Sequence, residues 1–82
     1  MKPLRNKIKL DIQELKFGAI DSDAIAEQGV ILEMGKDSQF PPSFLGKTLY
    51  FKAWAVDIIT DKNSNKHYFI SSDSDAICGI SE

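Results

Sequence analysis

Residues 48–60 read TLYFKAWAVDIIT, and how this stretch divides decides the fold. It is rich in the aromatic and β-branched residues that suit a pleated, half-buried surface. It is also long for one strand, whose usual length is about five or six residues. The small residues Ala53 and Ala55 mark the place where it is expected to bend. Beyond it, Asp61-Lys62-Asn63-Ser64-Asn65-Lys66 is a polar turn from which the chain returns through His67-Tyr68-Phe69-Ile70, the pattern of a hairpin.

Working outward, Ile8-Lys9-Leu10-Asp11-Ile12 alternates apolar and charged residues with period two, as a half-buried strand does. A helical reading through Ile8, Ile12 and Leu15 is the weaker alternative. Residues 16–28, KFGAIDSDAIAEQ, hold no clean period and read as a loop, with room for one helical turn capped by Asp23. Gly29 opens a second strand, Val30-Ile31-Leu32-Glu33-Met34, which Gly35 closes. The following GKDSQFPPSFLGK is a connection, because Pro41 and Pro42 lack the backbone donors a ladder needs. Ala76-Ile77-Cys78-Gly79-Ile80 forms a last short strand. Short strands at regular spacing with Gly and Pro punctuation predict an all-β chain, a small barrel whose two terminal strands lie at edges.

Eighty-two residues make a single domain, 1–82, that buries only about 60–65% of the surface of its unfolded chain. Hydrophobic residues at 43% and charged residues at 27% describe a globular chain and not an acidic tail. A formal net charge of −2 argues against nucleic acid as the main partner, since phosphate binding relies on clustered Lys and Arg. No apolar run approaches the roughly 18 residues of a membrane span. The opening MKPLRNKIKLD has neither the apolar stretch nor the cleavage site of a signal peptide, so a cytoplasmic protein is expected. Cys78, the one cysteine, cannot form an internal disulfide, so a core this thin is expected to gain stability from association.

The pentapeptide DSDAI occurs twice, at residues 21–25 and 73–77. Neither copy has the alternating ligands, the turn glycine and the distal Glu of a calcium loop. Their flanks share nothing, which excludes a duplication. His67 and Cys78 stand singly, whereas zinc or nucleophile chemistry needs several convergent groups. No glycine-rich phosphate loop is present, so no cofactor and no enzymatic activity are expected. Tyr50, Phe51 and Trp54 could stack on single-stranded bases as an OB-fold does. Lacking a basic groove around them, they read better as core or interface aromatics.

Taken in order, four segments form a syntax: Lys2-Pro3-Leu4-Arg5-Asn6-Lys7-Ile8-Lys9-Leu10, Gly29-Val30-Ile31-Leu32-Glu33-Met34-Gly35, Leu45-Gly46-Lys47-Thr48-Leu49-Tyr50-Phe51-Lys52, and Ser72-Asp73-Ser74-Asp75-Ala76-Ile77-Cys78-Gly79-Ile80. This resembles the GroES-type co-chaperonins, the ten-kilodalton chaperonin family, over nearly the whole chain. Asn6 and Lys7 fall where that family has its polar pair, and Trp54-Ala55 where it often has Tyr-Ala. Lys47 departs from its usual Asp. The stretch 51–59 is similar to the compact versions carried by bacteriophages and their bacterial hosts.

The resemblance implies a homo-oligomeric ring, in the family a heptamer. Its mobile loops would dock on an ATP-bound, GroEL-type chaperonin ring and close a chamber around folding clients. The first DSDAI then falls in the mobile-loop region and the second in the C-terminal segment. Phe17-Gly18-Ala19-Ile20 is the nearest match to the docking run, in a loop several residues short, with Ala24-Ile25 as the alternative. Phe17 and Ile20 could instead plug the barrel. The interval from Lys36 to Leu45 is too short for the family's roof hairpin, leaving Phe40, Pro41, Pro42 and Phe44 to cover the barrel end. The terminal strands would supply the subunit interface through Leu4, Ile8, Leu10, Ala76, Ile77, Cys78 and Ile80. The alternative reading is a free-standing OB- or SH3-like module acting as an adaptor or nucleic-acid binder; a small inhibitor with acidic decoy loops is a third.

Overall fold

The computed structural model describes residues 2–12 and 27–81. Six strands follow one another: β1 (Lys7–Asp11), β2 (Glu27–Met34), β3 (Thr48–Phe51), β4 (Asp57–Thr60), β5 (Lys66–Ser71) and β6 (Ile77–Ile80). They form one sheet in the order β4-β5-β1-β2-β3-β6, and every neighbouring pair is antiparallel. The expected bend in residues 48–60 is a single 3₁₀ turn, Ala53–Ala55, between β3 and β4. A second such turn, Pro42–Phe44, is the only regular element between β2 and β3. No hairpin stands in that interval.

Two short connections force the sheet to curl. β3 and β4 are four places apart in the sheet, which is about 19 Å at ~4.8 Å per strand. Along the strands they are displaced as well, since Phe51 pairs with Glu27 at one end of β2, whereas Asp57 is level with Phe69, Lys9 and Glu33 near the other. A flat sheet would thus separate Phe51 from Asp57 by about 25 Å, more than the roughly 20 Å that six extended residues can reach. The link between β5 and β6, residues 72–76, makes the same four-place jump. The curled sheet brings these links together. The backbone N–H of Lys52 donates to the carbonyl of Ala76 at 2.9 Å, and the small side chains of Ala53 and Ala76 are buried beside it. The result is a small β-barrel, open along one side where β4 and β6 have no ladder partner between them among the described residues.

Alternation fills the barrel. Ile8, Leu10 and Ile12 point inward with Ile31, Leu49, Phe51, Val56 and Ile70, and Phe40 and Phe44 pack against this cluster from the connection before β3. Their rings meet edge to face at 5.2 Å, so these two of the four expected residues cover the core, while Pro41 and Pro42 stay exposed. Two bulges change the parity. Lys9 pairs with Glu33 but Leu10 with Ile31, leaving Leu32 as an extra residue. Tyr50 pairs with Gly79 but Phe51 with Ile77, leaving Cys78 as the extra. Each bulge lets residues three apart, Ile31 with Met34 and Ile77 with Ile80, serve the same core.

Both glycines that frame the second strand are set by close approach. A Cβ on Gly29 would stand 2.9 Å from Cγ1 of Ile12; β2 begins before this glycine, at Glu27, and not after it, because Glu27 and Gln28 pair with Phe51 and Tyr50 of β3. A Cβ on Gly35 would overlap the carbonyl of Arg5. Arg5 itself has φ of 56°, and its carbonyl accepts the amide of Asp37 at 2.9 Å. One expectation is corrected. β1 lies inside the sheet between β5 and β2, so only one terminal strand, β6, is at an edge; the other edge is β4.

Candidate assembly surface

Of the residues assigned to a subunit interface by sequence, the fold divides them into two groups. Ile8, Leu10 and Ala76 are buried inside the chain itself, and β1 spends its hydrogen bonds on both neighbours. They hold the core and are not available to a second copy, because a strand paired on both sides offers no edge. Leu4, Ile77, Cys78 and Ile80 remain. Leu4 is 75% exposed, Cys78 is exposed at its bulge, and Ile77 and Ile80 are half-buried. These last three lie on β6, whose outer side has no ladder partner among the described residues.

The residues that lead into β6 form a hydrogen-bonded hinge. The amide of Ser74 donates to the carbonyl of Ser71 at 3.1 Å, and that of Ile77 to the carbonyl of Ser74 at 3.4 Å. The Ser74 hydroxyl accepts the amide of Ala76 at 3.1 Å. Ser72, the buried polar residue, donates its amide to the carbonyl of Asn6 at 2.8 Å, and its Oγ accepts the amide of Gln39 at 3.1 Å. Asn6 Nδ2 donates to Asp73 Oδ1 at 3.1 Å. The second DSDAI is therefore a polar clasp that ties the N-terminal segment to the start of β6.

At the other edge, β4 is exposed along its whole length. Between it and residues 2–4 lies a groove of about 280 Å³ lined by Pro3, Leu4, Ile59 and Phe69, with Lys2, Lys7 and Asp57 at its rim. Phe69 points away from the barrel core and is covered here instead. Lys7 Nζ bridges Asp57 Oδ2 at 3.2 Å and Ser71 Oγ at 2.8 Å. Being exposed, this ion pair adds little to stability, but it orders the rim. Sequence reasoning missed the groove. The signal was the doublet Ile58-Ile59, which breaks the alternation and places an isoleucine on each face of β4.

The β4–β5 turn is organised by one carboxylate. Asp61 Oδ1 accepts the amides of Asn63 at 2.9 Å and Asn65 at 3.0 Å, and Oδ2 lies 2.9 Å from His67 Nε2. The hydrogen bond from His67 and those from the two amides hold the Asp61 carboxyl below its ordinary value of 3.8. His67 thus sits at the hairpin end and serves the turn. Among the described residues no three His, Cys, Asp or Glu side chains converge as a metal site would require.

Phe17, Gly18, Ala19 and Ile20, and the alternative Ala24-Ile25, lie outside the described residues. Their anchors, Ile12 and Glu27, are the end of one strand region and the start of its neighbour. Of the aromatics, Phe51 is core, while Tyr50 and Trp54 are exposed. No helix among the described residues is long and apolar enough to cross a membrane. No family model matches the chain, and no curated protein matches it.

Proposed function

We propose that the chain is a co-chaperonin of the GroES type: copies form a ring, in that family a heptamer, that caps an ATP-bound chaperonin and encloses folding clients. The observation that carries this reading is an open β6 edge at one end of the chain together with Leu4, a large apolar side chain left in water at the other. Both belong to segments that resemble the family's terminal motifs. The two glycines of Gly29-Val30-Ile31-Leu32-Glu33-Met34-Gly35 also meet close backbone or side-chain neighbours, which supports reading that segment as a constrained motif.

The mechanism is multivalent docking. Each loop between β1 and β2 makes a weak contact, and one rigid ring presents several at once, so avidity supplies the affinity while weak single contacts permit release. Ala19 and Ile20 are the proposed docking residues, with Phe17 in support. The ATP belongs to the partner, and the protein works in the cytoplasm of a bacterium or of a phage-infected host.

A competing reading, a monomeric binding module, draws on the exposure of Tyr50 and Trp54. Chaperonin-dependent refolding of a stringent client separates the two. Ile20→Ser should abolish refolding while leaving the ring assembled, and Ile25→Ser should largely retain it. The reverse result moves the docking run to Ala24-Ile25; full activity of both variants overturns the loop assignment and favours the module.

A further inference from the structure

We infer that β4, the other edge of the sheet, is a docking edge for a second copy of this chain, the two β4 strands lying antiparallel about a two-fold axis with Ile58 facing Ile58. None of the residues proposed for the ring contact lies on β4, so the inference stands apart from the ring reading.

Backbone phase decides which groups β4 offers. The amide of Asp61 donates to the carbonyl of Asn65 at 2.9 Å, so Asp61 turns toward β5. In an antiparallel pair these directions alternate along the strand. Ile59 and Asp57 therefore bond to their partners His67 and Phe69, whereas Ile58 and Thr60 turn N–H and C=O away from β5. The far side of β5 agrees with this phase. Ser72 donates its amide to the carbonyl of Asn6, so Tyr68 and Ile70 face β1 and leave His67 and Phe69 for β4. On its outer side β4 has no ladder partner among the described residues, and all four of its residues are exposed.

The strand is complementary to itself. Two copies can keep their sheet faces and bond through Ile58 and Thr60 in two registers about a two-fold. One centres on Ile59 and sets Asp57 opposite Asp61 of the second copy; the other centres on Ile58 and sets Asp57 opposite Ile59. Like charges directly opposite are destabilising, which selects the register centred on Ile58. There the two Ile58 residues exchange their backbone bonds, and the Thr60 amide meets the carbonyl of Val56, whose own amide already donates to Ala53 at 3.2 Å. The Ile58 side chains, 39% exposed in the single chain, are brought together. β4 also holds neither Lys nor Pro, the residues that guard natural edges against such pairing. Because one patch serves both copies, the contact is isologous and doubles whatever particle it joins. Four residues a side make a small contact, suited to a weak dimer or, where a ring presents several β4 edges on one face, to a pair of rings held by avidity.

Native mass spectrometry of the unaltered chain and of Ile58→Pro tests this. Proline at this position removes an outward N–H and leaves the β4–β5 ladder whole. Circular dichroism and thermal melts check the fold, and Thr60→Pro, at the next outward N–H, is read instead if Ile58→Pro does not fold. The unaltered particle should have twice the mass of the variant. A dimer reduced to a monomer upholds the β4 pairing and overturns the ring; paired rings reduced to a single ring uphold both. Equal masses overturn the pairing and leave the ring reading standing. An odd-numbered ring that Ile58→Pro breaks into monomers shows that β4 meets a different strand of its neighbour, which overturns the two-fold. In the unaltered chain the amides of Ile58 and Thr60 should exchange with deuterium several-fold more slowly in the doubled particle than after dilution to the single one, and equal rates would overturn the inference without any variant.

Discussion

The amide of Lys52 donates to the carbonyl of Ala76 at 2.9 Å, and this one bond joins the two connections that curl the sheet. Space there is limited to methyl groups, since Ala53 and Ala76 are both buried. Ala53→Leu or Ala76→Leu should each destabilise the chain by about 1–3 kcal/mol through overpacking. Ala55→Leu, at a half-exposed position in the same turn, should cost less. Urea unfolding midpoints check the order, and equal costs at all three positions would show that the connections do not meet as described.

Gly35 gives a sharper case. Any side chain at this position would overlap the carbonyl of Arg5, and the Gly35 amide already donates to the carbonyl of Lys7 at 2.8 Å. Backbone has little freedom to retreat, so Gly35→Ala should cost at least the roughly 1–3 kcal/mol of ordinary overpacking. A melting temperature unchanged by the substitution would contradict the close approach.

The carboxylate of Asp61 makes the β4–β5 turn sensitive to acid. Its folded pKa is lowered chiefly by the His67 hydrogen bond, then by the amides of Asn65 and Asn63. A lowered carboxyl contributes stability that is present above the unfolded value of about 3.8 and lost as pH falls through the folded pKa. The amide resonances of Asn63 and Asn65 should therefore move toward random-coil positions at a pH below 3.8. In Asp61→Asn that acid transition should vanish from the hairpin. An identical transition in both proteins would assign it elsewhere.

How much of this was legible in the sequence varies with the range of the interaction. The division of residues 48–60, the return through Phe69 and the short final strand are written in local composition and alternation, and the structure has them all. The interior position of β1 is not local. Its neighbours are set by which distant strands the two short connections bring round, so the expectation of two terminal edges failed for β1 and held for β6. The bulges at Leu32 and Cys78 also escaped, because an apolar run such as Val30-Ile31-Leu32 does not say which of its members is extra. Of the residues expected at a subunit interface from the terminal edges, Leu4 and Cys78 are exposed and Ile77 and Ile80 half-buried, whereas Ile8, Leu10 and Ala76 are core. Apolar strand residues look alike in sequence whether they meet their own barrel or a neighbour.

Trp54 offers a direct optical readout, being the single tryptophan and 61% exposed. In the free protein it should emit as a solvated indole and be readily quenched by iodide. The accessible residues proposed for the interface, Leu4, Ile77, Cys78 and Ile80, do not include it, so ring assembly through them should leave both properties nearly unchanged. Strong protection of Trp54 in the free ring would place the 3₁₀ turn at Ala53–Ala55 within the subunit contact.

The central claim is that this chain caps a chaperonin. It is tested most directly by sedimenting the purified protein with a large, ATP-hydrolysing bacterial chaperonin in the presence and absence of ATP or ADP. The account predicts that the chain travels with the chaperonin when nucleotide is bound and is released when it is removed, and that Ile20→Ser lowers the bound fraction. Failure of the folded chain to co-sediment under any nucleotide condition, or binding indifferent to nucleotide, would contradict it.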